Sequence, residues 1–155
     1  MEFRNLMTKF AERLGIPDLV FDDEGVVRFA TDEMTLAFRE IPERHSILMW
    51  SNVATPSPEH REELYKALLE ASFMGRGAHG GTFSLDHGAV YLHRTDALVN
   101  LDVEALLKIV EDFLGLVGTY RRIIEAFHAH AAARQEESVP GMLGGSLHPH
   151  GFLHV

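Results

Sequence analysis

Phe3, Leu6, Met7, Phe10 and Leu14 recur at the i, i+3, i+4 and i+7 spacing of a single helical face. They predict a helix from about Glu2 to Leu14, stopped by Gly15 and Pro17. After Leu19-Val20-Phe21 and the turn cluster Asp22-Asp23-Glu24-Gly25, the pattern changes. Val26 to Ala30 is a first strand candidate. Met34, Leu36 and Phe38 alternate with Thr35, Ala37 and Arg39, as a half-buried strand does. Ile47-Leu48-Met49-Trp50 is apolar on both sides, as in a central strand or one facing a partner. Pro42, Glu43 and Arg44 separate the second and third strands. The connections are short, so the pairing should be antiparallel.

Ser57, Pro58 and Glu59 predict a second helix start, with a cap, a proline at the first position and an acid in the first turn. Leu64, Ala67, Leu68 and Ala71 make one apolar stripe; Tyr65, Leu69 and Phe73 make another about 100° around. A helix covering one core does not need so wide an apolar arc. Phe83 and Leu85, then Val90 and Leu92, alternate with polar or aromatic neighbours around an Asp86-His87-Gly88 turn, which predicts a hairpin. Asp102 caps a long helix whose apolar positions run from Val103 to Phe127. Gly115 and Gly118 lie within it at a cost of roughly 1 kcal/mol each, which suggests close packing against another backbone or a local bend.

Residues 1–135 are therefore read as one domain and 136–155 as a tail holding Gly, Pro and His without periodicity. Met142, Leu143, Leu147, Phe152, Leu153 and Val155 in that tail suggest that it docks on an apolar surface. The element order is helix, three strands, helix, two strands, helix. It predicts an α+β sandwich, a twisted antiparallel sheet with helices on one face.

The net charge of −9 argues against a nucleic-acid partner, since phosphate neutralisation needs clustered Lys and Arg. The absence of cysteine excludes disulfides and thiolate metal sites and fits a cytosolic protein. No apolar run is long enough for membrane insertion, and the N-terminus lacks a signal-peptide layout.

Gly75-Arg76-Gly77-Ala78-His79-Gly80 spells the dinucleotide-binding G-x-G-x-x-G. That motif needs a strand before it and a helix after, so that a helix N-terminus faces the pyrophosphate. Here the order is reversed, and the glycines read as a chain reversal from helix to strand. His128 and His130 point to different helix faces, and His148, His150 and His154 sit in the tail. His79 and His87 are a candidate facing pair, but no nucleophile with a positioned base accompanies them. Ser84, Asp86 and His87 lack a nucleophile elbow. No catalytic set, cofactor site or metal site is expected.

The stretch Leu68-Leu69-Glu70-Ala71-Ser72-Phe73, the glycine loop, Gly81-Thr82-Phe83-Ser84-Leu85-Asp86, Ala89-Val90-Tyr91-Leu92-His93-Arg94 and the acidic helix start at Asn100 together resemble the type III secretion chaperone family, the CesT/Tir-chaperone group. Ser72 departs from the family's usual Asn. The resemblance implies a bacterial cytoplasmic homodimer that binds the N-terminal region of a secreted effector in extended form, without ATP. A YbjN-like regulatory domain of the same fold, or a small His-dependent or metal-binding protein, is the alternative. For the dimer interface the double stripe nominates Leu64, Tyr65, Leu68 and Leu69. For the client, Met7, Phe10, Phe38, Met49 and Trp50 form a pool of pocket residues, since Met and aromatics suit adaptable surfaces. The competing expectation is that these are simply core.

Overall fold

The computed structural model describes residues 2–16, 18–31 and 34–137. Helix α1 (Phe3–Arg13) is followed by strands β1 (Val27–Ala30), β2 (Thr35–Ile41) and β3 (Ser46–Ala54). Helix α2 (Arg61–Ser72), strands β4 (Thr82–Asp86) and β5 (Ala89–Ala97), and helix α3 (Val103–Glu137) complete the order. All strand pairs are antiparallel, in the spatial order β1-β2-β3-β5-β4. The two-faced apolar strand is central, as its sequence predicts, and β1 and β4 are the outer strands. The predicted tail starts at Glu136, but α3 takes in Glu136 and Glu137; the rest of the tail, and the expectation that it docks, lie outside the described residues.

One face of the sheet carries the core. Ile47, Met49 and Val53 of β3 are buried with Leu36 and Phe38 of β2 and Val90 and Leu92 of β5. Helix α1 adds Phe3, Leu6, Met7 and Phe10, and α3 adds Leu106, Val110, Phe113, Val117, Tyr120 and Ile124. Phe10, Phe29 and Phe38 meet edge to face, with ring centroids 5.3–5.8 Å apart. The alternate positions Leu48, Trp50 and Asn52 project from the opposite face and are half-buried.

Local chemistry explains most boundaries. Asp102 accepts from the Ala105 amide at 2.8 Å, capping α3 as predicted. His87 and Gly88 both have positive φ, the geometry of a two-residue hairpin turn that follows the strands' twist. The second helix begins later than Ser57-Pro58-Glu59 predicts. His60 adopts a left-handed conformation, and the helix starts at Arg61. The Arg61 guanidinium donates back to the carbonyls of Pro56 and Ser57. The Glu59 backbone amide and then the Ser57 hydroxyl hold the Glu59 carboxyl below its ordinary pKa. Ser57 thus serves a turn and not a helix cap. Gly115 and Gly118 do not mediate backbone packing within the described chain, because a Cβ at either would meet nothing within 4 Å.

Candidate functional site

The glycine loop joins α2 to β4, and the amides of three of its glycines are already in use. The Gly77 amide bonds to the Ala71 carbonyl (3.0 Å), Gly80 to Gly75 (3.3 Å) and Gly81 to Ala78 (2.7 Å). A phosphate cradle needs such N–H groups free and converging. Gly77 is required by space. A Cβ there would sit 2.9 Å from the Tyr120 hydroxyl and 3.0 Å from the Ala71 Cβ. The Tyr120 hydroxyl donates to the Gly77 carbonyl at 3.0 Å, and burial raises its pKa above the ordinary value. Ser72 ties the same corner. Its hydroxyl donates to the Leu68 carbonyl and accepts from the Phe83 amide, each at 3.0 Å.

Two cavities flank the edge strand β4. An apolar groove of about 170 Å³ runs between α2 and β4, lined by Tyr65, Leu68, Leu69, Phe83, Ser84, Leu85 and Val90. Leu69 is 66% exposed and Leu85 52%, and Phe73 and Met74, just beyond α2, are also exposed. The second cavity, about 340 Å³, lies on the uncovered sheet face among Leu48, Trp50, Ser84, Asp86, Tyr91 and His93. Burial holds the His93 imidazole below its ordinary pKa, so it is neutral at pH 7. Ser84 lines both cavities.

The residues nominated from sequence separate sharply. Met7, Phe10, Phe38 and Met49 are at most 1% exposed, so they form the core and offer no pocket to a partner. Each points inward because its strand or helix has only one covered face. Trp50 lies on the other face and lines the larger cavity. On α2 the two stripes divide. Leu64 and Leu68 are buried in the core, whereas Tyr65 is half-buried and Leu69 stands in solvent. His87 is an exposed turn residue whose Nδ1 lies 2.8 Å from an Asp86 carboxylate oxygen. His79 is exposed in the loop. Among the described residues no group of three or more His, Cys, Asp or Glu side chains is arranged to hold a metal. No described helix is long and apolar enough to cross a membrane.

The family model described as "Tir chaperone protein (CesT) family" matches residues 5–121, most of the chain. The chain belongs to the Tir chaperone (CesT) family. No curated protein matches it. Among solved structures, a chain of the ExsC–ExsE complex shares the fold with a TM-score of 0.66 at 22% identity, covering 80% of this chain and 97% of that one. A chain from the HopA1–SchA chaperone–effector complex aligns with a TM-score of 0.63 at 20% identity, covering 77% and 93%. A chain from the structure of the Yersinia pestis type III secretion chaperone SycH, in complex with a stable fragment of YscM2, gives 0.59 at 14% identity, covering 77% and 99%. This CesT-family chain therefore has the α+β sandwich that its element order predicts. The matched span includes the glycine loop and the hairpin whose residues carry the resemblance. It also includes Ser72, where the hydroxyl joins α2 to β4.

Sequence reasoning did not find the β1 surroundings. Leu14, one turn beyond Phe10, and Val20, next to Phe21 of the isolated Phe21–Val27 bridge on β1, are both exposed. Periodicity assigned Leu14 to the buried stripe. The stripe ends at Phe10, because Leu14 is already the helix's C-terminal cap.

Proposed function

We propose that this protein is a cytoplasmic type III secretion chaperone that works as a homodimer and without ATP. It would hold the N-terminal region of a secreted effector in extended form. The observation that carries this reading is the family match across residues 5–121. The chaperone–effector complexes among its structural relatives support it.

The geometry suits the task. The sheet has two outer strands, β4 and β1, the latter bridged at Val27 by Phe21, whose remaining edge groups can accept an extended chain. We assign the client to the β1 side, where the exposed Val20 stands next to the Phe21–Val27 bridge. Trp50, the one nominated pocket residue outside the core, lies in the open-face cavity beside β4 and is not assigned to the client. We assign the dimer to the α2–β4 side, with Leu69 and Tyr65 in contact and Leu64 and Leu68 supporting them from the core. Separate sides let dimerisation and client binding coexist. No step here needs a catalyst, and the bonds that form are reversible.

The test is co-expression with the N-terminal region of an effector encoded beside this gene. The expected result is a stable complex at two chaperone chains per effector, in which that region is shielded from protease while remaining unfolded by circular dichroism. Absence of a complex, or one that forms only with ATP, would refute the proposal.

A further inference from the structure

The α2–β4 groove has a candidate occupant within its own chain. We propose that residues 138–155 fill this groove in cis and compete there with a second copy of the protein. Occupation stands on the groove itself; competition rests on the proposed dimer face.

Reach comes first. The Tyr120 ring of α3 lies 4.5 Å, centroid to centroid, from Phe83, which lines the groove. From Tyr120 the helix continues unbroken to Glu137. At 1.5 Å per residue that is about 25 Å. The segment from Ser138 onward can span on the order of 60 Å when extended. It can therefore return to the groove without any other element moving.

Chemistry comes second. Every Asp, Glu, Lys and Arg of the chain lies before Ser138. The segment enters an apolar groove without stripping water from any of these charges, the most costly part of such burial. Leu147, Phe152 and Leu153 lie far enough along it, at roughly 3.4 Å per residue, to meet Leu69, Leu85 and Tyr65. Its glycines and prolines disfavour a helix and leave an extended chain that can pair with the free edge of β4. Tethering then gives it an effective concentration of about a millimolar, above the micromolar level at which a second copy would compete.

The experiment places the photo-crosslinker benzoylphenylalanine at position 69 of the full chain, with peptide mapping by mass spectrometry. Dimerisation is measured in parallel by sedimentation velocity on unmodified protein. The expected cross-link joins position 69 to a peptide within 138–155 of the same chain. Truncation after Glu137 should abolish that product and tighten the dimer on the order of ten-fold, as removal of a tethered competitor does. The full-length double variant Phe152→Asp, Leu153→Asp should act like the truncation. A cross-link only to a second copy, with equal dimer constants for all three chains, overturns the inference and leaves the dimer reading intact. A cis cross-link with no dimer in any chain supports occupation and refutes both the dimer face and the competition. Absence of either cross-link overturns occupation.

Discussion

The two stripes of α2 differ in what they should do when truncated, and the difference can be calculated. Leu68 is 5% exposed and Leu69 66% exposed, although they are neighbours on one helix. Leu68→Ala removes a core side chain and should cost about 2–5 kcal/mol of folding stability at any protein concentration. Leu69→Ala removes three carbons beyond Cβ, worth roughly 2.4 kcal/mol when fully buried. Since about a third of Leu69 is already covered, only about 1.6 kcal/mol remains to be gained at an interface. A two-fold interface counts the residue twice, giving about 3 kcal/mol, or on the order of 200-fold in the dimer Kd. The fold of the single copy should lose under about 0.5 kcal/mol, the usual cost of a surface change. Sedimentation equilibrium reads the first quantity, and urea unfolding at several protein concentrations separates it from the second. If Leu69→Ala destabilises the isolated fold as much as Leu68→Ala does, or leaves the dimer constant unchanged, the assignment of the outer stripe to an interface is wrong.

Four further outcomes follow from the same geometry. Ser72→Ala strands the Phe83 amide and should lower urea stability by about 1–3 kcal/mol, with no change in dimer constant once folded. Tyr120→Phe should cost about 1 kcal/mol through its bond to Gly77, while Gly77→Ala should cost more because its Cβ collides with that hydroxyl. Calorimetry of the wild-type protein with ATP or NAD should show no heat, since the loop amides of Gly77, Gly80 and Gly81 are already bonded. The folded His93 pKa is depressed, so the unfolded chain binds its proton more readily. Stability should therefore be intact above the unfolded value near 6.5 and fall as pH drops below it. His93→Gln should flatten that limb in urea titrations at pH 7.5 and 5.5; an unchanged slope would contradict the burial argument.

Period and turn chemistry made the element order legible. Alternation marked β2, β4 and β5, the doubly apolar run marked β3 as central, and Asp102 and His87-Gly88 marked a cap and a turn. The site was less legible because burial depends on which face the other elements cover. Met7, Phe10, Phe38 and Met49 have the composition of a binding pocket and the positions of a core. Only the packing of α1 and α3 over the sheet decides between them. The double stripe of α2 was visible, but which stripe faces inward was not. Tyr120 and Gly77 meet across 43 positions of sequence, beyond the range of any local pattern. Ser57 shows the opposite failure. A good local cap signal was overridden when the Arg61 side chain bound the carbonyls before it.

Ser84 touches both cavities because β4 is an edge strand only five residues long. Whatever strand pairs with that edge will be read in a two-letter frame. Alternate side chains will meet the apolar groove under α2, and those between them will meet the more polar cavity beside Trp50. A slip of one residue exchanges the two sets, placing each side chain against the wrong wall. Binding that is permissive in its backbone bonds can therefore be strict in phase. A one-residue insertion in the middle of a paired partner strand should cost more affinity than most point substitutions within it.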